Sequence, residues 1–178
     1  DYLVDFELES IDMGIRYGKG VYPGLRADRL FAEEIFPVCS PKLLEGPHPL
    51  KRPEDLKWHT LLHTDWEVKD DSDPDWRMWL RAAGVTDIDP TAGPKFYPDT
   101  VALQAAIEGH GVALGSTTLA GSDLAAGRLV KPFEFAMPVD FAYYIVVPEK
   151  QAQQKKVVWF RDWLLEEAHA VTHAVAAG

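Results

Sequence analysis

Phe96–Leu119 reads FYPDTVALQAAIEGHGVALGSTTL, and its run of residue types is that of strand end, helix, tight turn, strand and second helix start. Asp99 or Thr100 is placed to cap the first helix, because a short oxygen-bearing side chain accepts from the orphan N–H groups of a first turn. Val101, Ala102, Ala105, Ala106 and Ile107 form its apolar face, with Gln104 and Glu108 on the polar one. Gly109 stands where the helix stops, since glycine takes positive φ without a Cβ clash. Val112 to Leu114 is wholly apolar, as expected of a strand buried on both faces of a parallel sheet. Ser116, Thr117 and Thr118 then supply a second cap. In an open α/β sheet the helices start at the carboxyl edge of the strands, where ligands bind. Two such starts at one edge, each with N–H donors and a positive dipole end, suit an anion or a small polar molecule. Plain capping explains the same residues, and the Asp99 carboxylate would repel an anion.

The totals narrow the classes. At 178 residues, 47% hydrophobic and 26% charged, the chain can bury the core of one large domain or two lobes and is not expected to be disordered. A net charge of −10 argues against a grip on a phosphate backbone, which needs clustered Lys and Arg. No apolar run reaches the length of a membrane span, so no membrane partner is expected. The single cysteine, Cys39, has no partner for an internal disulfide, and no signal peptide is visible; both fit a reducing, cytoplasmic setting.

Outward from the opening stretch, Asp1–Glu9 reads as a short helix or strand, Ile11–Tyr17 as a strand, Leu30–Cys39 as another, and Lys42–Leu44 as a short helix after Ser40-Pro41. Thr60–Thr64 is a buried strand candidate, Lys69–Asp75 an exposed acidic loop, and Asp75–Ala83 an amphipathic helix with Trp76, Trp79, Leu80 and Ala83 inward and Gly84 as its stop. Leu119–Ala126 is a helix stopped by Gly127, Arg128–Phe133 a strand, Phe141–Val147 a strong aromatic and β-branched strand, and Gln151 to His169 the last helix, with Val157, Phe160, Trp163 and Leu164 as its buried stripe. Strands alternating with helices give an α/β fold with mainly parallel sheets.

Most chemical motifs fail on context. Gly109-x-Gly111-x-x-x-Gly115 has a helix before it and a strand after it, the reverse of a dinucleotide loop. Gly18-Lys19-Gly20 opens no helix. His59 and His63 sit on a predicted strand, and His169 and His173 on a helix tail with no third ligand nearby, so neither pair is a metal site. Asp70, Asp71, Asp73 and Asp75 lack the calcium-loop pattern. There is no Gly-x-Ser-x-Gly elbow, and Cys39 reads as a buried structural thiol; no cofactor is expected. Trp66 follows the Thr60–Thr64 strand and is placed to be an aromatic pocket wall at the same carboxyl edge.

Several spaced motifs resemble a known family. The run LVDFELESIDMGIRYG (Leu3–Gly18), with Asp12-x-x-Ile15-Arg16-Tyr17-Gly18 its most specific piece, is followed by Tyr22-Pro23-Gly24-Leu25, Glu34 and Pro37-Val38-Cys39-Ser40-Pro41. Pro53-x-Asp55-Leu56 precedes Leu61-Leu62, then come the Trp76-x-x-Trp79-Leu80-x-Ala82-Ala83-Gly84 helix and Ala105-Ala106-x-x-Gly109-x-Gly111-Val112-Ala113-Leu114. Together they resemble the effector-binding domain of LysR-type transcriptional regulators, nearest the glycine-cleavage and β-lactamase regulator branch. The resemblance implies a two-lobed, type 2 periplasmic-binding-protein-like α/β fold with mixed, mainly parallel sheets. Lobe one would hold residues 1–40 and 136–178, lobe two residues 41–135, and a small effector would bind in the cleft between them. It implies polar cleft residues at Thr100, Ser116 and Thr117, and a further one at Tyr143.

The chain departs from that pattern at its front. The strand, helix and strand that open such a domain are absent before Asp1, so the domain reads as N-terminally truncated. The winged helix-turn-helix that would contact DNA is absent too. The expectation is therefore an effector sensor, not an enzyme, with an amino acid, a small carboxylate or a muropeptide-like molecule as effector and a homodimer or tetramer in full length. Trp66 is an apolar wall, Asp99 a cap or a partner for a cationic group, and Arg16 an anion clamp or the partner of an acidic neighbour. A transport-type solute-binding protein and, behind it, a small hydrolase or transferase are the alternatives.

Overall fold

The computed structural model describes residues 6, 11–65 and 74–176. Trp66, most of the acidic loop and most of Asp1–Glu9 lie outside the described residues. In chain order the elements are β1 (Gly14–Gly18), β2 (Leu25–Val38), β3 (Leu61–Thr64), α1 (Trp76–Ala82), β4 (Lys95–Phe96), α2 (Asp99–Ile107), β5 (Val112–Ser116), α3 (Thr117–Ala125), β6 (Met137–Pro148) and α4 (Lys155–Ala176), with short 3₁₀ turns at Pro41–Leu44 and Pro53–Trp58. The chain divides into two compact units, Asp1–Glu33 with Val139–Gly178, and Glu34–Pro138.

In unit one the strand order is β1-β6-β2. β1 runs antiparallel to β6, with Gly14 opposite Val146 and Gly18 opposite Ala142. Ile145, Val147, Ala152 and Val157 make its core, and Met13, Leu30, Leu164 and Leu165 pack against it. The Asp12 carboxylate accepts from Lys156 Nζ at 2.6 Å and ties the residues before β1 to α4.

β2 starts at Leu25, five residues earlier than the apolar run indicates. Its polar front still fits a strand, because Arg26 and Asp28, two residues apart and so on one face, join through two hydrogen bonds of 2.9 Å. The final helix departs from its expected stripe. Val157 is buried and Leu164 half-buried, but Phe160 and Trp163 face solvent.

In unit two the order is β2-β5-β3-β4. β5 pairs parallel with β3 and β3 parallel with β4, whereas β2 joins β5 antiparallel. Parallel pairing is thus confined to the strands that helices connect, as the βαβ rule requires. Phe36, Val38, Leu62, Leu103, Ala113 and Leu129 centre the core. Trp76 donates its indole N–H to Leu62 O at 3.0 Å, fixing α1 to β3, while Asp75 caps α1 by accepting from Met78 N at 2.9 Å. Asp55 Oδ2 accepts from the N–H groups of Lys51 and Arg52, both at 3.1 Å, and Leu56 beside it is fully buried.

Two elements of unit two differ from expectation, and one helix stop agrees with it. The inward face of α2 is Ala102, Leu103 and Ala106, while Val101 is exposed. Arg128–Phe133 forms no strand. Val130 alone exchanges two hydrogen bonds with Cys39, at 3.1 and 2.9 Å, and Pro132 has no N–H with which to extend the ladder. Gly109 does end α2, at φ +86°, with His110 N donating to Ala105 O at 3.0 Å.

Candidate functional site

The parallel strands β5, β3 and β4 all run toward one edge, ending at Ser116, Thr64 and Phe96. α3 begins directly after β5. α2 begins after β4, across the cis Tyr97-Pro98 peptide. The two helix starts therefore share the carboxyl edge and are separated by β3. Two strand spacings put them roughly 10 Å apart.

Each start is built differently. Ser116 has extended backbone (φ −130°, ψ 171°), and its buried hydroxyl accepts from Leu119 N at 3.3 Å. Its O–H can still be donated to a ligand. Thr117 follows, half-buried. At α2 the cap is Pro98, which has no side-chain acceptor, and not Asp99 or Thr100. Asp99 lies inside the first turn, where its Oδ1 accepts from Thr100 N at 2.7 Å. Thr100 is exposed. The edge thus joins hydroxyl and N–H donors at α3 to a carboxylate at α2, which can hold a molecule bearing both an anionic and a cationic group.

Replacing Ser116 by alanine is expected to destabilise unit two by about 1 kcal/mol through loss of the cap. A thermal melt of S116A should fall by roughly 2–4 °C. An unchanged melting temperature would mean that the 3.3 Å contact carries no capping energy.

Trp66 lies outside the described residues, and the other two candidates belong to unit one. Tyr143 is opposite Tyr17, with ring centroids 5.0 Å apart, and it also meets Phe31 at 5.1 Å. Arg16 is opposite Tyr144 and so projects from the other face of the β1–β6 pair. Its guanidinium lies over the rings of Phe6 and Tyr22, 5.5 and 5.4 Å from their centroids. Burial raises the Tyr22 phenol above its ordinary pKa, and the Arg16 charge partly opposes that shift. Arg16 and Tyr143 are therefore not brought to one face.

The rejected motifs acquire structural roles. His59 Nε2 contacts His48 O at 2.8 Å and His63 Nε2 contacts Ala92 O at 3.0 Å, so the pair is held by backbone oxygens. Among the described residues no group of three metal-binding side chains occurs. Cys39 is buried, and burial pushes its thiol up to about 12. A cavity of about 390 Å³ opens beside Lys57, His59, Thr60, Asp87 and Asp89, at the amino end of β3. None of the residues expected from sequence lines it. Its walls come from a turn and a loop with no shared spacing, so no motif could have announced it. No helix of the described residues is long and apolar enough to cross a membrane.

Comparison with known proteins gives a consistent result. The family model for the LysR substrate binding domain matches residues 2–169. The glycine cleavage system transcriptional activator of Escherichia coli K12 is 45% identical over 162 residues, which cover 91% of this chain and 51% of that protein. The transcriptional activator AmpR of Pseudomonas aeruginosa is 30% identical over 166 residues, covering 93% of this chain and 53% of that one. The solved effector domain of AmpR from Pseudomonas aeruginosa superposes with a TM-score of 0.74 at 28% identity, over 98% of this chain and 80% of that domain. The chain spans about half the length of the curated relatives it matches. With a family model running through both units and a relative at 45% identity, the chain belongs to the LysR substrate-binding domain family.

Proposed function

We propose that this chain is the sensing part of a bacterial LysR-type transcriptional regulator, and that a small effector binds at the carboxyl edge of β5, β3 and β4. The observation that carries the reading is the pair of helix starts two strands apart on that edge, in a chain that the family model matches from 2 to 169. Thr100, Ser116 and Thr117 supply hydroxyl and N–H contacts, and Asp99 takes the cationic group of the effector. An amino acid fits this pairing of charges best. A small carboxylate uses only the α3 half, and a muropeptide-like molecule uses both. Trp66 serves as an apolar wall. Tyr143 and Arg16 are further candidates, of which a small effector on one face of the β1–β6 pair meets only one.

The protein does not turn its ligand over. The effector acts by binding one arrangement of the regulator more tightly than another, and it shifts the balance only by that difference in affinity. DNA is bound by a winged helix-turn-helix outside this chain, in a cytoplasmic homodimer or tetramer.

The test is a thermal melt against amino acids, small carboxylates and muropeptide fragments, with each compound recovered and weighed by mass spectrometry. An effector at a hundred times its dissociation constant should add about 2.7 kcal/mol of stability and be recovered intact. Thr100→Val and Thr117→Val should abolish that gain while leaving the ligand-free melt within about 0.5 kcal/mol. An altered compound would replace the sensor reading with an enzyme. A gain that survives both substitutions would move the site away from this edge.

A further inference from the structure

The cavity of about 390 Å³ in unit two opens at the amino end of β3, the end away from the two helix starts. Two separate segments line it. From 56–61 come the buried side chains of Leu56 and Leu61 and the exposed ammonium of Lys57. From 87–93 come the half-buried Ile88 and the exposed carboxylates of Asp87 and Asp89. The space thus combines apolar side chains with a cation on one lining segment and anions on the other. Its volume lies at the lower end of the range of small-molecule sites, about 300–1,000 Å³.

Both segments are held in place by bonds of their own. Asp55 pins the turn that carries Lys57, through the two N–H groups it accepts from. The Lys57 ammonium lies 5.6 Å from the centroid of the Trp58 ring, and that ring is itself stacked on His48 at 4.5 Å. His59 Nε2 meets His48 O at 2.8 Å. A carbonyl oxygen only accepts, so in the neutral ring Nε2 carries the proton and Nδ1 is left as an acceptor. On the other segment Asp89 accepts from Thr91 N at 2.9 Å and from Thr91 Oγ1 at 2.7 Å. His63 Nε2 meets Ala92 O at 3.0 Å, and Gly93 comes so near β3 that a Cβ there would collide with Leu61 O. Asp87 is the carboxylate left over: among the described residues it has no hydrogen-bond or ion-pair partner.

We infer that this cavity is a second small-molecule site, and that its ligand is a linear zwitterion with its ammonium on Asp87, its carboxylate on Lys57 and its hydrocarbon chain over Leu56, Leu61 and Ile88. The cation and the free anion come from different lining segments, so the ligand must carry its two charges at opposite ends. An ω-amino acid has that build. An α-amino acid carries both charges on one carbon and cannot reach both segments. The charge-assisted hydrogen bonds at the two ends fix its orientation, and the apolar side chains hold its middle. The cavity and the proposed effector edge lie at opposite ends of the four-residue strand β3, about 13 Å apart along it, and the inference does not depend on that edge.

Isothermal titration calorimetry of the 178-residue chain with 6-aminohexanoate tests it, with hexylamine and hexanoate as controls that each lack one charge. The zwitterion should bind at least about tenfold more tightly than either control, the factor expected for one charged hydrogen bond. Asp87→Asn and Lys57→Gln should each weaken it by at least about tenfold as well. Both positions are exposed, and circular dichroism checks that the fold survives. No binding of 6-aminohexanoate up to millimolar concentration, equal binding of all three compounds, or binding that neither substitution weakens would each overturn the inference. Binding that is lost in T100V/T117V instead would place the zwitterion at the carboxyl edge and overturn it too.

Discussion

Trp79→Ala should remove about 3–5 kcal/mol from the stability of unit two, the largest loss expected of any single substitution considered. The side chain is fully buried and lies at the centre of an aromatic group, with ring centroids 5.9 Å from Trp76, 6.0 Å from Phe133 and 5.7 Å from Phe135. Truncation leaves a hole that the three neighbouring aromatic side chains cannot fill by rotation, so transfer and cavity terms add. The Trp79 Nε1 has no hydrogen-bond partner among the described residues. Its polar hydrogen is therefore desolvated without return, and Trp79→Phe should cost distinctly less than Trp79→Ala. Urea unfolding followed by circular dichroism distinguishes the two. Equal losses would mean that shape alone sets the cost, and a loss under about 1 kcal/mol for alanine would mean that the cluster repacks.

Gly111→Ala should cost about 3 kcal/mol, at the upper end for an added methyl group. A Cβ at this position would collide with Thr60 O and press on Leu62 Cγ at 3.1 Å. Thr60 O is the acceptor for Val112 N at 2.9 Å, the bond that seats β5 on β3. The obstacle is backbone, which cannot swing aside as a flexible side chain would. β5 must lift from β3 at its first residue, and the edge that carries Ser116 shifts with it. A midpoint within about 0.5 kcal/mol of the unsubstituted chain would show that the strands separate freely there.

The glycines were the most legible part of the sequence, because their reasons are local. Gly84, Gly109 and Gly127 follow helices and take φ of +75°, +86° and +68°, as stops do. Gly109-x-Gly111 resembles a nucleotide loop only as a string; one glycine ends a helix and the next admits a neighbouring strand.

Side-chain type misled where environment decided. The apolar spacing of the last helix reads Phe160 and Trp163 into one inward stripe with Val157 and Leu164, yet the helix buries Val157 and Ala168 and leaves both aromatic residues exposed. The residue pattern includes Val101 and leaves out Leu103 because the apolar residues of α2 are nearly continuous and define no sharp face. The strand expected at Arg128–Phe133 is reduced to Val130 because a ladder depends on which N–H groups meet a partner, which residue type does not report. For the site, the two helix starts were readable from caps and strand order. The replacement of Asp99 by Pro98 as the cap, and the opposite faces of Arg16 and Tyr143, required the backbone.

Unit two is one uninterrupted stretch, Glu34–Pro138, whereas unit one is assembled from the segments on either side of it. On the ribosome, unit two is complete before the second half of unit one has been made. It can collapse from near neighbours in the chain, while the β1–β6 pair must wait for partners more than a hundred residues apart. Closing so long a loop is costly when the intervening chain is open, and that cost falls once the middle has folded. The order of assembly is thus written into the connectivity, with the segment that carries both helix starts forming first and the unit built from the flanking segments last.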